Sequence, residues 1–382
     1  MNKLDAEVVK MQKIYSCFAS AAFGLEGLVA SELRARKMNH VKAENGGVRF
    51  SGTCADLFTC NLVLHNCDRV YIIAAEGMCT SFEDLYQLVR SVEWQDYAEG
   101  KEAFNVSAKC ARSKLMSPRD CQSVTKRAIL DKLKASKGQN TFPESAAPLW
   151  INVSIHSDYA KILINTSGEA LSKRGYRTWN GEAPLRETLA AALVQLSPWH
   201  SDRPLYDPCC GTGTILIEAA FLAAHHAPGL NRHFSAESLY CFRTTPFAEI
   251  RDSIAREENP DICVNIAGSD ISPDAENLAV RHIRQAGMQN LIRTCCKPLQ
   301  ELVLPEKDGV FICNPPYGER LSDRRSCHEL YRDLRSLKNR HPGWSMCVIS
   351  SDPSFERAFG KRADRKRRVY NGRLECTYYI YL

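Results

Sequence analysis

The segment Asn314-Pro315-Pro316-Tyr317 follows an apolar stretch and combines residue types that suit the handling of a planar amine. Two successive prolines cannot continue a strand or a helix, so they fix a rigid loop. In that loop the side-chain oxygen of Asn314 and the carbonyl of Pro315 can converge as acceptors, and Tyr317 supplies a flat face. The combination predicts a site for a planar group with an exocyclic NH2. A simple proline-rich turn is the structural alternative.

A glycine-containing loop is the second candidate site. The stretch DPCCGTGT, residues 207–214, places Gly211 and Gly213 between a strand-like segment and an apolar helical one. Glycines in this setting let the backbone turn tightly and approach a ligand. Leu216 stands where a dinucleotide-binding motif needs its third glycine, and the chain has no Gly-Lys-Ser/Thr segment. Hydride transfer and nucleotide hydrolysis are therefore disfavoured.

Asp270 ends another apolar stretch, VNIAGSD. Its carboxylate is expected at the carboxyl edge of a sheet, where the ligands of such sheets bind. A carboxylate there can accept both hydroxyls of a ribose. The alternative is that Asp270 only caps the helix predicted to begin near Pro273.

Strands that alternate with helices must position these residues from about residue 201 onwards. The predicted strands are 204–208, 264–268, 291–294, 309–313, 345–350 and 375–381, and the predicted helices are 215–224, 274–286 and 329–337. This alternation is typical of an α/β fold with a doubly wound sheet, here ending in an antiparallel edge strand. The three candidate stretches are thus expected at one edge of the sheet.

The first 166 residues alternate in the same way and predict two smaller α+β domains. Ser81-x-x-Asp84 predicts a helix start, and Ser157-Asp158 between two apolar runs predicts a hairpin. Residues 167–200 predict a linker that enters a helix near Pro184.

Composition and charge limit the class of protein. The 382 residues are 44% hydrophobic and 25% charged, which is an ordinary globular mixture. No apolar run approaches the roughly 18 residues of a membrane span, and we see no signal peptide. The 17 cysteines include no Cys-x-x-Cys pair; Cys60, Cys67, Cys263 and Cys347 lie in apolar stretches and are expected to be buried thiols. We expect a reducing, cytoplasmic location without disulfides or zinc.

The net charge of +6 is concentrated in one segment. Residues 361–373, KRADRKRRVYNGR, hold seven Lys or Arg and one Asp, so the rest of the chain is neutral overall. Such a segment attracts polyanions, above all nucleic acid, although a solvated surface face is the plain alternative.

Together these stretches resemble class I S-adenosylmethionine (SAM)-dependent methyltransferases that modify exocyclic amines in nucleic acids. The segments TSGEALSKRGYR, GEAPLRETLAAAL, DPCCGTGTILIEAA, NPPYGER and YNGRLECT resemble the THUMP-domain guanine-N2 RNA methyltransferases, and more closely those acting on bacterial 23S rRNA. The resemblance includes GLEGLVASEL near the start and spans nearly the whole chain. It implies a ferredoxin-like domain at 1–68, a THUMP RNA-binding domain at 69–166, a linker and helix at 167–200, and a Rossmann-like methyltransferase domain at 201–382.

The resemblance also implies SAM as cofactor, with no metal, and assigns residues to three groups. The cofactor group is Asp207, Cys209, Gly211, Gly213, Thr214, Asp270 and Asn314. The catalytic group is Asn314, Pro315, Pro316 and Tyr317, whose aromatic ring is expected to stack on an extruded base. The group expected to bind RNA phosphates is Lys109, Arg112, Lys114, Lys126, Arg127, Lys361, Arg362, Arg365, Lys366, Arg367 and Arg368.

One feature departs from this pattern. Lys297-Pro298 stands where relatives usually carry an acid near the cofactor's adenine, so a backbone group is expected to make that contact. The interval between Asp207 and Asp270 is long for one crossover, and the resemblance implies an inserted segment there that could contact RNA.

The predicted function is methyl transfer from SAM to the exocyclic N2 of a guanine, with 23S rRNA as the expected substrate. Three alternatives stay open: a guanine-N2 methyltransferase acting on tRNA, an adenine-N6 DNA methyltransferase, and a catalytically inactive RNA-binding assembly factor. The sequence does not indicate an oligomeric state.

Overall fold

The computed structural model of the chain describes residues 13–138, 142–177, 185–305, 307–317 and 323–382. The chain divides into two compact units. Unit 1 contains the residues up to Ala21 together with 29–171 and 233–253, and unit 2 contains 22–28, 172–232 and 254–382. Each unit is built around one seven-stranded sheet.

Unit 1 has a single mixed sheet with the order β2-β3-β1-β4-β7-β6-β5. Its strands are β1 (Tyr15–Ala21), β2 (Asn39–Glu44), β3 (Gly47–Gly52), β4 (Cys67–Met78), β5 (Glu102–Ala111), β6 (Ala146–His156) and β7 (Tyr159–Asn165). Its helices are α1 (Glu26–Ala35), α2 (Cys54–Val63), α3 (Phe82–Arg90) and α4 (Pro118–Lys137). The 12-residue strand β4 pairs with β1 on one side and β7 on the other, so the two predicted α+β domains share one sheet.

Two local predictions in unit 1, a helix start at Ser81 and a hairpin turn at Ser157-Asp158, are confirmed. The Ser81 hydroxyl accepts a hydrogen bond from the Asp84 N–H at 3.1 Å, and the Asp84 carboxylate accepts one from the Ser81 N–H at 2.9 Å. This reciprocal pair begins α3. Ser157 and Asp158 both have positive φ angles, as a two-residue turn between β6 and β7 requires.

The segment 233–253 follows α6 (Thr214–Ala223) in the chain, yet it folds as part of unit 1. Phe234 and Phe247 contact Phe58 edge-on, with ring centroids 5.7 and 4.7 Å apart. The Ala236 N–H also donates to the Thr166 carbonyl at 2.8 Å. The predicted insertion therefore exists, but its aromatic side chains serve the packing of unit 1; a contact with RNA stays a prediction.

Unit 2 has a sheet with the order β10-β9-β8-β11-β12-β14-β13. Its strands are β8 (Leu205–Asp207), β9 (Ile266–Asp270), β10 (Ile292–Cys296), β11 (Gly309–Cys313), β12 (Trp344–Ser350), β13 (Arg365–Asn371) and β14 (Leu374–Tyr381). Beside α6, its helices are α5 (Glu187–Leu196), α8 (Pro273–Gln285), α9 (Asp323–Arg340) and α10 (Phe355–Phe359). Helix α7 (Phe247–Ala255) lies mainly in unit 1, and only its last two residues belong to unit 2. The first five strands are parallel, and β14 is antiparallel to both neighbours. The predicted doubly wound fold is confirmed.

Both faces of this sheet are buried, which explains the continuous apolar runs in its strands. Along β11, Val310 and Ile312 join the hydrophobic core on one face. Phe311 and Cys313 join the core on the other face. Every residue of β11 is buried, so only the residues after Cys313 are free to do chemistry.

Three local predictions differ from the structure. The basic segment forms a strand, β13, which pairs with β14 and becomes the sheet edge in its place. The strand predicted from residue 264 begins at Ile266, so Cys263 precedes it and is exposed; the prediction that this thiol is buried was wrong. The predicted helix 329–337 is the middle of the longer α9.

Among the described residues, no helix has the length and apolar character to cross a membrane.

Candidate active site

The three candidate stretches follow β8, β9 and β11, which are neighbouring parallel strands. Asp207 is in register with Gly268, and Tyr206 with Phe311. The residues after these strands therefore emerge at the same edge, where the strand order changes direction between β8 and β11. Burial raises the pKa of the Cys313 thiol, and the negative charge of Asp207 adds to this effect. The ends of β8 and β11 are therefore close enough for their side chains to interact.

The glycine loop is shaped by close approach on one side and open space on the other. A side chain at Gly268 would place its Cβ 2.8 Å from Leu216 and 2.9 Å from the Asp207 carbonyl oxygen, so this strand residue must be glycine. Gly213 has φ +82° and lies against Ala279. Gly211 has φ +52°, and nothing lies within 4 Å of its Cβ position. The loop thus leaves a cradle over Gly211. The sequence analysis gave Gly268 no role of its own, although a glycine inside an apolar strand signals close backbone approach.

Asp270 holds the glycine loop and retains acceptor capacity. One carboxylate oxygen accepts the Gly211 N–H at 2.9 Å and the other accepts the Ser272 N–H at 3.0 Å. A carboxylate has about four lone-pair positions, so about two remain for a ligand such as a ribose diol. The residue that caps α8 is Ser272, whose hydroxyl accepts the Ala275 N–H. The alternative that Asp270 caps this helix is wrong.

Asp207 is a buried carboxyl group, 1% exposed, whose Oδ1 accepts the Cys209 N–H at 3.0 Å. Burial, reinforced by the neighbouring charge of Asp270, raises its pKa well above the usual range. No described lysine, arginine or histidine forms an ion pair with it. A cationic ligand would favour the charged carboxylate. The ammonium and sulfonium of SAM therefore fit this site, as its ribose fits Asp270.

Cys209 and Thr214 are two further residues predicted to bind the cofactor. Burial raises the pKa of the Cys209 thiol well above its usual range, so the thiol stays neutral and is no nucleophile. The Thr214 hydroxyl accepts a hydrogen bond from the Arg177 guanidinium at 2.8 Å, and Arg177 also pairs with Glu187 at 3.0 Å. Thr214 thus anchors the start of α6. Sequence reasoning missed Arg177, which lies in a segment read as a linker.

The loop 314–317 holds its own polar groups together. The Tyr317 hydroxyl donates to the Asn314 side-chain oxygen, and the Tyr331 hydroxyl donates to the Pro316 carbonyl at 3.2 Å. Tyr317 is half-buried against the core, and burial, with the nearby Cys376 thiol, raises its phenol pKa, so it remains a donor. One of the two lone pairs of the predicted acceptor at Asn314 is thus already engaged. The Tyr317 ring packs against the hydrophobic core of unit 2, and its stacking on a base stays a prediction.

The Lys297 backbone lies beside Asp270. Its N–H donates to the Asp270 carbonyl at 2.9 Å as β10 ends. That N–H is therefore engaged, and the contact to the adenine stays a prediction.

The predicted RNA-binding residues occupy several surfaces. In unit 1, Lys109 is exposed on β5, Arg112 and Lys114 follow that strand, Lys126 pairs with Glu144 at 3.3 Å, and Arg127 lies over the Tyr86 ring. In unit 2, Lys361 and Arg362 precede β13, and Arg365, Lys366, Arg367 and Arg368 are exposed along it.

The strand register separates the basic residues of unit 2. Arg368 is level with Thr377, which pairs with Ser350 at the carboxyl end of β12. Arg365 is level with Ile380, which pairs with Cys347 in the middle of β12. Arg367 and Arg368 therefore lie nearest the site edge, Lys366 and Arg365 lie one and two residues further from it than Arg367, and Lys361 and Arg362 precede the strand.

Comparison with protein families gives three matches along the chain. The RMKL-like methyltransferase domain matches residues 174–380, the RlmL ferredoxin-like domain matches 16–71, and the THUMP domain matches 79–165. Among curated proteins, YpsC of Bacillus subtilis, named as a candidate RNA methyltransferase, is 34% identical over 97% of this chain and 96% of its own length. The ribosomal RNA large subunit methyltransferase K/L of Vibrio cholerae is 33% identical over 92% of this chain, which covers 51% of that protein.

Two solved structures resemble the whole chain. A Listeria monocytogenes protein described as a predicted N6-adenine-specific DNA methylase is 37% identical, with a TM-score of 0.92, and the match covers 97% of this chain and 96% of that one. SMU.472, solved in complex with S-adenosylhomocysteine, is 35% identical, with a TM-score of 0.91, covering 97% of this chain and 98% of that one.

Proposed function

Because the chain belongs to the RMKL-like family of SAM-dependent RNA methyltransferases, we propose that it methylates the exocyclic N2 of a guanine in 23S rRNA. The observation that carries the proposal is the position of Asn314 and Pro315 at the carboxyl end of β11, beside the Asp207–Gly213 loop that follows β8. One strand end presents amine acceptors, and its neighbour presents the cradle for the methyl donor.

The cradle's donor set suits SAM, which when bound supplies an electrophilic methyl group. Asp207 would face its cationic part, Asp270 would accept its ribose hydroxyls, and Gly211 leaves the space it needs. These three assignments are part of the proposal.

The acceptors of the second loop would activate guanine N2, which is a weak nucleophile. The lone pair of guanine N2 is delocalised into the ring. The Asn314 side-chain oxygen and the Pro315 carbonyl would accept its two N–H bonds and favour a pyramidal nitrogen whose lone pair points at the methyl group. Orientation of this kind contributes up to about 7–11 kcal/mol. The methylated aminium is acidic and releases its proton to water, so no strong base is needed before attack.

In our proposal Tyr317 moves when the base enters. Its hydroxyl engages one of the two lone pairs of the Asn314 oxygen, which is the acceptor that the amine requires. In our proposal the entering base displaces that hydroxyl, and the Tyr317 ring turns outward to stack on the base. Extrusion of a base costs a few kcal/mol, which such stacking offsets in part.

Adenine-N6 methylation is the second candidate, since adenine also carries an exocyclic NH2 and the Listeria relative is described as a predicted DNA methylase. The loop alone does not separate the two amines. The matched THUMP and RlmL ferredoxin-like domains, and the named ribosomal RNA enzyme of Vibrio cholerae, favour RNA.

The deciding experiment incubates the purified full chain with methyl-labelled SAM and, separately, unmodified 23S rRNA, tRNA and double-stranded DNA. We expect label in 23S rRNA, recovered as N2-methylguanosine after nuclease digestion. N6-methyladenine in DNA would overturn the proposal. Label in tRNA would show that the substrate is tRNA and not 23S rRNA. RNA binding without any transfer would support the inactive assembly factor. The Asn314→Ala variant is the control: it should bind SAM like the wild type and transfer almost no methyl group.

A further inference from the structure

Four residues of unit 2 form a surface group that we call the aromatic–basic cluster: Phe23, Arg367, Arg368 and Tyr370. The Phe23 ring is 51% exposed and meets the Tyr370 ring edge-on, with centroids 5.8 Å apart. The Arg368 guanidinium lies 5.6 Å from the centre of the Phe23 ring. The Arg367 guanidinium donates to the Gly24 carbonyl at 3.3 Å.

The backbone around Phe23 is fixed, which holds its ring at the surface. Gly24 has φ +87°, a conformation that favours glycine. A side chain there would also lie 3.1 Å from the Arg368 carbonyl oxygen. Leu25, only 1% exposed, already anchors this turn in the hydrophobic core of unit 2. An exposed aromatic ring beside such an anchor adds little to folding and is available for a ligand.

The cluster lies at the same edge as the catalytic loop. Tyr370 follows Val369, which pairs across the strands with Cys376. The Cys376 thiol lies close enough to the Tyr317 phenol to contribute to its raised pKa, after burial. In the sheet order, β12 and β14 separate β11, which the amine acceptors follow, from β13, which carries Arg367, Arg368 and Tyr370.

The chemistry of the cluster is that of a single-stranded nucleic-acid site. Aromatic faces stack on bases without regard to sequence, and arginines bind phosphates or extend the stack. Glu375 compensates part of the charge, because it accepts the Tyr370 hydroxyl at 2.9 Å and lies 3.9 Å from Arg368. Arg367 makes its contact to a neutral carbonyl, so the cluster keeps a positive charge.

We propose that the aromatic–basic cluster binds the single-stranded RNA that flanks the target nucleotide: a neighbouring base stacks on Phe23, and Arg367 and Arg368 hold the adjoining phosphates. The inference rests on the proposed function, in which the target base leaves its stack. Extrusion deprives the next base of a stacking partner, and Phe23 at the rim of the site replaces that partner.

The test measures binding of a fluorescein-labelled single-stranded RNA oligonucleotide to the full chain by anisotropy, and methyl transfer to 23S rRNA. Phe23→Ala should weaken oligonucleotide binding about 5- to 100-fold, as expected for one lost stack, whereas Phe23→Trp should retain it. Arg367→Ala combined with Arg368→Ala should reduce the salt dependence of binding by about 0.7 in log–log slope for each lost phosphate contact. Affinity for SAM should not change.

Matched controls are Val303→Ala, an exposed apolar residue, and Arg284→Ala, an exposed arginine on α8. Both should bind RNA like the wild type. Ultraviolet cross-linking with mass spectrometry should place a base on Phe23 or Tyr370. Oligonucleotide binding by Phe23→Ala equal to that of Val303→Ala overturns the proposal. So does loss of binding in both Phe23→Ala and Phe23→Trp with a lowered melting temperature, since that indicates a purely structural ring.

Failure of this inference can be told apart from failure of the proposed function. If the wild type methylates guanine and Phe23→Ala does so with an unchanged KM for RNA, only the cluster assignment is wrong. If the wild type methylates no guanine but its RNA binding depends on Phe23, the cluster assignment stands and the proposed reaction is wrong.

Discussion

Replacement of Tyr317 by phenylalanine tests the arrangement of the catalytic loop most directly. In the structure the Tyr317 hydroxyl donates to the Asn314 oxygen, which our mechanism needs as the acceptor for the target amine. Phenylalanine removes the competing donor but keeps the ring that would stack on the base. Alanine removes both. The pair of variants therefore separates the hydroxyl from the ring.

The expected magnitudes can be derived from the two contacts. A neutral hydrogen bond contributes about 0.5–1.5 kcal/mol net, so its removal should raise kcat/KM for RNA by up to about 2- to 10-fold. Loss of a base–aromatic stack costs about 1–3 kcal/mol. Relative to phenylalanine, alanine at position 317 should therefore lower kcat/KM about 5- to 100-fold. Neither change touches the cradle at Asp207, so SAM affinity should stay constant.

The assay is single-turnover transfer of labelled methyl to 23S rRNA at saturating SAM, with calorimetric SAM binding and a melting curve for each variant. Two results would refute the reasoning. If Tyr317→Phe is as inactive as Asn314→Ala, the hydroxyl takes part in the reaction. If Tyr317→Phe and Tyr317→Ala have equal activity, the ring does not contact the base.

Four further substitutions probe the cradle and the core around it. Gly211→Ala should lower the free energy of unfolding by about 1–2 kcal/mol because of its positive φ, and it should also weaken SAM binding, because its Cβ enters the open cradle. Gly268→Ala should lower the free energy of unfolding by about 1–3 kcal/mol, because its Cβ meets Leu216 and the Asp207 carbonyl. Unchanged SAM affinity in Gly211→Ala, or unchanged stability of Gly268→Ala in urea titrations, would contradict this. Because the Asp207 pKa is raised, the folded chain binds more protons than the unfolded chain between about pH 3.9, the usual carboxyl pKa, and the raised pKa of the folded state. Over that range, Asp207 destabilises the SAM-free protein increasingly as the pH rises. Asp207→Asn should therefore flatten the pH dependence measured by urea unfolding while weakening SAM binding about 10- to 100-fold, and unchanged SAM affinity would remove Asp207 from the site. Glu218→Ala should lower the free energy of unfolding by about 3–5 kcal/mol, because it leaves the buried Arg174 guanidinium without the carboxylate that lies 3.2 Å away; a loss below about 1 kcal/mol would show that water reaches the pair.

The elements that position the site were predictable because their signals are local. Each candidate stretch follows a run of apolar residues that are buried on both faces of a parallel sheet, and such runs can only end at an edge. The prolines after Cys313 and the glycines after Asp207 mark those ends without ambiguity. Parallel connection then brings the three strand ends together, whatever the intervening sequence.

Other features depend on contacts between distant parts of the chain. The aromatic residues of 233–253 resemble any buried segment, and only the partner Phe58, far away in the chain, determines that they join unit 1. The run Arg365–Arg368 has no alternating apolar pattern, so nothing in it predicts a strand. Backbone pairing with β14 and the burial of Val369 decide its structure.

The state of an individual side chain was the least predictable feature of the site. The sequence shows that Tyr317 can stack and that Asn314 can accept, but not that the two bind each other before substrate arrives. The same holds for Thr214, whose hydroxyl is taken by Arg177 from a segment that sequence reasoning treats as a linker. These contacts are set by rotamers and local packing, which residue type and spacing do not determine.

The division of charge between the two loops favours an amide over a carboxylate as the proposed amine acceptor. Asp207 and Asp270 place two acidic groups at the ends of β8 and β9, and burial already raises the pKa of Asp207. A third carboxyl group at position 314 would be subject to the same repulsion and would tend to hold a proton, which would make it a donor where the amine needs an acceptor. If it stayed ionised, it would compete with Asp207 for the cationic cofactor. The neutral oxygens of Asn314 and Pro315 avoid both outcomes, so in our proposal they can accept from the amine at any pH at which the cradle would bind its cation.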